Sequence, residues 1–312
     1  MMPEANESFP ENRGDESPER LFNPRSIGIV TGTFYPKWYE GEAKDPISVD
    51  KMRGDLALQT FKSPHEQNFQ IVVVDGGSSD AFKKALEQNN IYFEMQKQKG
   101  GYSPARRQGI ERAETLQGVK VIVQTELEKL SMVSDCIQTA SLPILKGEAD
   151  IVVPRRDKAS FLTYPTFQTQ QEQKANKLYN AILRTHGLLK DNDPDLDFWF
   201  GQRLFANTPE LTKLFKTTYQ YRKDNTELDK KINVEMYSSI QFFPIVEALH
   251  RRLRVESVLV PYRHPQIQTT FEEDNPDFDR KRLTQRRTII TELIHYIRQL
   301  ENSPKTRLSK VL

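Results

Sequence analysis

Residues Ile71-Val72-Val73-Val74-Asp75-Gly76-Gly77-Ser78-Ser79-Asp80 hold the reading that decides the fold. Four β-branched apolar residues run directly into an acid, two glycines and two hydroxyls. Strands covered on both faces of a parallel sheet read as such unbroken apolar runs. Asp75 then stands at a strand's carboxyl end, the edge where open α/β sheets bind ligands. A plainer role fits the same residues: a turn followed by a helix capped by Ser78, Ser79 or Asp80.

Working outward, short β-rich runs occur at 27–31, 70–74, 91–95, 119–124 and 151–154. Helical patterns lie between them at 48–61, 79–88, 104–116 and 132–145. That alternation predicts βαβ units and a mostly parallel central sheet flanked by helices. Past Pro154 the rhythm breaks. An aromatic and hydroxyl-rich loop around 160–168 leads to a helix over 170–186 with Gly187 as its C-cap. An acidic turn-rich link (191–197) precedes a strand over 198–205, and Thr208-Pro209 opens a short helix. A helix over 242–253, a strand over 254–262 and a last helix from Asn275-Pro276 complete the chain. The last helix should turn Leu283, Ile290, Leu293, Ile297 and Leu300 inward. Residues 1–25 are polar, acidic and Pro-bearing, and are expected to form a flexible tail. The folded domain is expected over 26–265, with a C-terminal helical extension and tail over 266–312.

The totals narrow the function. At 312 residues the chain can bury a substantial core. A net charge of +2 is too small to imply nucleic acid. The basic residues at 280–287 gather on one helix without interleaved aromatics, which also speaks against nucleic acid. That run reads as a solvated face, or alternatively as a basic amphipathic helix on a membrane surface. One cysteine, Cys136, leaves no disulfide framework and points to a reducing compartment. No apolar run approaches the ~20 residues of a membrane span, and the N-terminus lacks the features of a secretory signal. A cytoplasmic protein is expected.

The acid at the end of the second strand suggests a dinucleotide-binding dehydrogenase, but the first strand ends in Thr31-Gly32-Thr33-Phe34-Tyr35-Pro36. That turn has no G-x-G-x-x-G to admit a pyrophosphate. The segments further on point elsewhere. Gly101-Tyr102-Ser103-Pro104-Ala105-Arg106-Arg107-Gln108-Gly109 precedes a strand that ends in Thr125-Glu126-Leu127-Glu128-Lys129. A strand-end Asp, then G-x-x-x-A-R-x-x-G, then an acid-x-acid pair: this order resembles the family 2 glycosyltransferases with the GT-A fold. Gly147–Arg156 resembles the family's next strand, and Asp197–Phe205 is similar to a D-x-x-x-G-x-R segment of the mannosyl-phosphate-type members. The resemblance spans about 27–262.

The resemblance implies a transferase that moves a hexose from a nucleotide-diphosphate sugar to an acceptor hydroxyl. The acceptor would be a saccharide, small molecule or lipid. Thr31 and Thr33 on the first strand, Asp75, Gly76, Arg106, Glu126, Lys129 and Arg263 would hold the nucleotide sugar. Glu126, Glu128 and His264 would hold Mn²⁺ or Mg²⁺. Physical chemistry supports these roles. Acids at i and i+2 on an extended segment share a face, and their hard oxygens suit such cations. A planar Arg fork suits a base edge or a phosphate. Gly76, Gly77 and Gly101 let backbone approach a ligand.

The chain departs from the pattern at E-x-E-K, where the family has D-x-D. Lys129 could supply the positive charge in place of a metal. An inverting transferase needs a carboxylate base; Asp195, Asp197 and Glu235 are candidates, with Asp197 favoured by its place ahead of Gly201 and Arg203. Tyr164 and Phe167 offer rings for a sugar, while Trp199, Phe200 and Cys136 are expected in the core. Two other functions share these features. One is a catalytically inactive nucleotide-sugar-binding module. The other is a sugar-phosphate nucleotidyltransferase, although TGTFYPKW lacks its Gly-rich, Arg-bearing loop.

Overall fold

The computed structural model of the chain describes residues 22–44, 48–98, 102–219 and 242–302. Gly101, Glu235 and most of the expected N-terminal tail lie outside them. Among the described residues, seven strands form one sheet in the order β3-β2-β1-β4-β6-β5-β7. They are β1 (Ile27–Thr33), β2 (Gln70–Asp75), β3 (Phe93–Met95), β4 (Val121–Gln124), β5 (Ile151–Arg156), β6 (Arg203–Ala206) and β7 (Val255–Val260). β6 alone runs antiparallel to its neighbours β4 and β5. The expected mostly parallel sheet is therefore present. The expected strand over 198–205 divides instead into a 3₁₀ turn at Phe198–Phe200, a left-handed Gly201, and β6.

Helices α1 (Val49–Glu66), α2 (Asp80–Gln88), α3 (Tyr102–Ala113) and α4 (Ile137–Leu145) alternate with the first strands. A π-helical turn at Met132–Cys136 leads into α4. There follow α5 (Lys158–Phe161), α6 (Thr166–Thr185), α7 (Pro209–Lys216), α8 (Phe243–His250), α9 (Gln266–Glu272) and α10 (Pro276–Glu301). Ser79 caps α2 by accepting from the Phe82 amide, and Thr208 caps α7 by accepting from that of Leu211. Both hydroxyls satisfy an N–H that has no partner within its helix.

Apolar clusters cover both faces of the sheet, as its continuous apolar strands require. One contains Val30, Ile122, Ile151 and Phe205; another contains Ile29, Val123, Val152, Leu204 and the buried Cys136. α10 sends Ile289, Leu293, Tyr296 and Ile297 into the first of these, so it shares the sheet's own core. Of the others expected inward, Ile290 and Leu300 pack half-buried against the same core, and Leu283 is half-buried. No helix among the described residues is long and apolar enough to cross a membrane.

Register explains where a site can form. Thr33 pairs with Asp75, and Val30 with Gln124, so β1, β2 and β4 end at one edge. Gln124 faces Arg203, which brings the start of antiparallel β6 to that same edge. Arg156 faces Val260, adding the ends of β5 and β7. β1 sends its chain to β2 on one side and borders β4 on the other, the kind of switch point at which a crevice opens.

Candidate active site

A cavity of about 230 Å³ opens at this edge. Gly32, the Glu126–Lys129 turn, Gly201 and His264 reach it from strand ends; Arg53 comes from α1, and Tyr102 and Arg106 from α3. Lys281 and Arg282 reach it from α10. α3 lies close on β1 because Gly109 has no side chain: a Cβ there would stand 2.5 Å from Val30 Cγ1. This packing delivers Arg106, 8% exposed, to the cavity.

The acidic pair lies among cations. Arg106 Nη2 is 3.4 Å from Glu126 Oε1, and Lys129 Nζ is 3.4 Å from Glu126 Oε2. Burial pushes the Glu126 carboxyl up, but Lys129, Arg106 and Arg53 outweigh it and hold its pKa down to about 2. The Glu126 side chain is still 43% exposed, because its oxygens face the open cavity. Glu128 behaves differently. Burial raises its pKa, and Glu126 adds to the rise, while Arg53 is the strongest opposing charge. Lys129 lies 6.0 and 5.9 Å from the ring centres of Phe200 and Tyr262. Burial lowers its pKa, but Glu126 overcomes this and the net shift is upward, so the ammonium stays charged.

His264 is buried and stacks on Tyr164 with ring centres 4.2 Å apart. Its Nδ1 pairs with Thr269 Oγ1 at 2.8 Å. Burial, then Lys129, Arg282, Arg156 and Arg53, push its pKa well below the ordinary value, so the ring is neutral. A neutral imidazole can ligate a metal. The three expected metal ligands, Glu126, Glu128 and His264, all line the cavity, but they do not converge. Among the described residues, no three His, Cys, Asp or Glu side chains come together as a metal shell. Both Glu126 oxygens already face cations, so the donor set as arranged does not fit a divalent ion.

Other expected residues are placed apart from the cavity. Asp75 is fully buried and accepts from Thr33 Oγ1 at 2.8 Å and from the Gly77 and Ser78 amides at 3.0 Å. Its carboxylate closes the β2–α2 turn, in which Gly77 takes φ +119°. Ser78 Oγ then accepts from the Tyr35 amide. Thr31 is fully buried, and its Oγ1 has no hydrogen-bond partner among the described residues. The Gly76 surface is covered by Gln96, whose Oε1 would lie 2.8 Å from an added Cβ. Arg263 is exposed and is not in the cavity lining. None of Thr31, Thr33, Asp75, Gly76 and Arg263 lines the cavity.

Asp197, the expected base, also differs from expectation. It is 2% exposed and outside the lining. Arg156 grips it with Nε at 2.8 Å and Nη2 at 2.9 Å; Asn176 Nδ2 donates at 2.6 Å, and the Phe200 amide adds a further bond. Burial raises the Asp197 pKa, but Arg156 beside it brings the net shift below the usual range. With its oxygens occupied and its proton affinity reduced, Asp197 is a fixed ion-pair partner and not a free base. Arg156 donates its remaining Nη1 to Glu172 at 2.6 Å. Glu172 is the member of this network that lines the cavity.

Several lining residues had no sequence signal. Arg53 sits on a helix whose text reads as an ordinary mixed surface. Lys281 and Arg282 belong to the basic run that reads as a solvated face; both line the cavity, where Arg282 is half-buried and Lys281 stays exposed. Trp199, expected in the core, is half-buried against the cavity. Tyr164 does line the cavity, whereas Phe167 does not.

Comparison with known proteins agrees with this architecture. The family described as Glycosyl transferase family 2 matches residues 51–122. No curated protein matches the chain significantly. Among solved structures, the chain is similar to glucosyl-3-phosphoglycerate synthase from Mycobacterium tuberculosis in complex with Mn²⁺, UDP and glucosyl-3-phosphoglycerate. The TM-score is 0.53 at 11% identity, over 92% of this chain and 86% of that one. The fold is GT-A. The same synthase with Mn²⁺, UDP-glucose and phosphoglyceric acid gives a TM-score of 0.53 at 11% identity, over 92% and 85% of the two chains. With Mg²⁺ and UDP the values are 0.51 and 10%, over 92% and 85%. In GT-A terms the cavity occupies the strand-end crevice, and the matched segment contains Arg53, Asp75 and Arg106. The chain is thus family 2-like in sequence over that segment and GT-A in fold.

Proposed function

We propose that the chain is a glycosyltransferase that takes a hexose from a nucleotide-diphosphate sugar, with a uridine donor favoured, and passes it to an acceptor hydroxyl. One observation carries this reading: the strand-end crevice of a GT-A fold gathers Arg106, Lys129 and Arg53 around the Glu126–Glu128 turn. The uridine preference rests on the UDP and UDP-glucose held by the structural neighbours.

In the transfer, the C1–O bond to the diphosphate breaks and its electron pair stays on the leaving oxygen. The acceptor oxygen bonds to C1 and its proton passes to solvent water. Charge therefore grows on the diphosphate, and fixed cations in a water-poor site stabilise it more than water does. Lys129 and Arg106 are placed for that task, while Glu126 holds both in position. Asp75 serves the nucleotide indirectly, by fixing the β2–α2 turn beside Thr33. Tyr164 and Trp199 offer ring surface for a sugar.

The test is release of nucleoside diphosphate from UDP-glucose, UDP-galactose and GDP-mannose, with and without added small saccharide acceptors. One donor should be consumed and Arg106→Ala should abolish its turnover. Binding of the nucleotide with no turnover of any donor would favour the inactive binding module. No binding would reject both.

A further inference from the structure

We infer that this cavity neutralises a sugar nucleotide's diphosphate with its own side chains, Lys129, Arg106 and Arg53, and that a divalent cation is not required. The inference rests on the nucleotide-sugar reading above and specifies how that site handles charge.

Three features of the cavity carry it. The first is occupancy. A bridging cation between protein and diphosphate must take carboxylate oxygens of the acidic pair as ligands. Each Glu126 oxygen instead has a cationic side chain 3.4 Å away. Lys129 follows Glu128 directly in the chain, and its ammonium is held against Glu126 with the Phe200 and Tyr262 rings nearby. A fixed ammonium there puts positive charge where a metal would otherwise supply it.

The second feature is the charge balance. The lining carries five cations, Arg53, Arg106, Lys129, Lys281 and Arg282, against three acids, Glu126, Glu128 and Glu172. The surplus of two equals the two negative charges of a sugar nucleotide's diphosphate. A bound divalent ion would leave the filled site with two positive charges in excess, which is costly where water is excluded.

The third feature is unmet hydrogen-bonding capacity. Arg53 Nε and Arg282 Nε are buried with no hydrogen-bond partner, and Lys281 makes no ion pair among the described residues. Buried donors of charged groups are rarely left unpaired. Here two of the cations that line the cavity keep a buried donor without a partner among the described residues, as a site shaped for an anionic ligand would.

The experiment is titration of the intact chain with UDP and with GDP, read by calorimetry and by melting temperature, in EDTA and in Mn²⁺. The inference expects the preferred nucleotide to bind equally well in both, within about twofold. Lys129→Met keeps the length and removes the charge, and should weaken binding in EDTA by roughly tenfold or more, the value of a charged hydrogen bond. Lys129→Arg should restore most of it. Since Lys129→Met could also disturb the fold, Glu128→Gln provides an independent reading. Loss of this acid enlarges the cationic surplus and should tighten nucleotide binding in EDTA and in Mn²⁺ alike, whereas loss of a metal ligand would weaken binding in Mn²⁺. Binding that appears only with Mn²⁺, or that collapses in Glu128→Gln, overturns the inference and leaves the glycosyltransferase reading intact. Binding of neither nucleotide under any condition rejects that reading as well.

Discussion

Two ionic networks lie within one edge of the sheet, and they are built on opposite plans. In the first, the Arg156 guanidinium bonds Asp197 and Glu172 at 2.8 and 2.6 Å, with side chains only 1–2% exposed. Asn176 and Gln168 donate to the two acids at 2.6 and 2.7 Å. In the second, Glu126 meets Arg106 and Lys129 at 3.4 Å, is 43% exposed, and lies in a cavity whose cations outnumber its acids. In the closed network every guanidinium nitrogen of Arg156 and every carboxylate oxygen of Asp197 and Glu172 has a partner, while the open one retains donors, Arg53 Nε and Arg282 Nε, without partners among the described residues. Removing a member of the first should cost stability; removing a member of the second should cost ligand binding. Both use the same residue types, so only the geometry separates support from function.

The largest expected effect tests the closed network. Asp197→Asn leaves the buried Arg156 guanidinium with Glu172 as its one remaining charged partner, and denaturant unfolding should show a loss of about 3–5 kcal/mol. A loss below about 1 kcal/mol would mean that the network is solvated and that the contrast does not hold.

Gly109→Ala comes next and bears on the open network, since it presses α3 away from β1. It should cost about 1–3 kcal/mol as overpacking, and should weaken nucleotide binding because α3 carries Arg106. A stable variant with unchanged binding would show that α3 tolerates the shift.

Acid titration sharpens the comparison further. The Asp197 pKa is lowered in the folded chain. Its contribution is therefore present above the unfolded value of about 3.9 and is lost as pH falls through the folded value. Unfolding free energy measured from pH 6 to pH 3 should fall below about pH 4 more steeply in the parent chain than in Asp197→Asn.

The smallest effect on stability belongs to the open network. Lys281 is exposed and makes no ion pair among the described residues, so Lys281→Ala should change stability by no more than about 0.5 kcal/mol. It should nevertheless slow nucleotide association and flatten its dependence on salt, as loss of a rim charge does. Unchanged salt dependence would place Lys281 outside the ligand's field.

Much of the sheet was legible in the sequence because buried parallel strands leave unbroken β-branched runs, as at 71–74 and 151–153. The acidic turn after β4 was legible too, since a strand that ends in Glu126-x-Glu128 has few structural reasons to do so. What stayed hidden depended on contacts between distant segments. Asp75 points to its own turn because Thr33 and two amides are within reach, and nothing in its local text distinguishes that from facing a ligand. Asp197 finds Arg156 only because β5 and the 3₁₀ turn meet at the same edge. Arg53, Lys281 and Arg282 sit on helices whose charged residues read as solvent-facing until the helices are folded over the crevice. β6 was placed too early and too long, because aromatic Phe198 and Phe200 suit a strand as well as a buried 3₁₀ turn.

The most direct measurement is a crystal structure of the chain grown with UDP-glucose and Mn²⁺ both present. The diphosphate should lie in the 230 Å³ cavity, in contact with Lys129 and Arg106, and no metal should sit between it and Glu126. A metal bridging Glu126, Glu128 and the diphosphate would contradict the charge inference. A nucleotide bound outside the cavity would contradict the site itself.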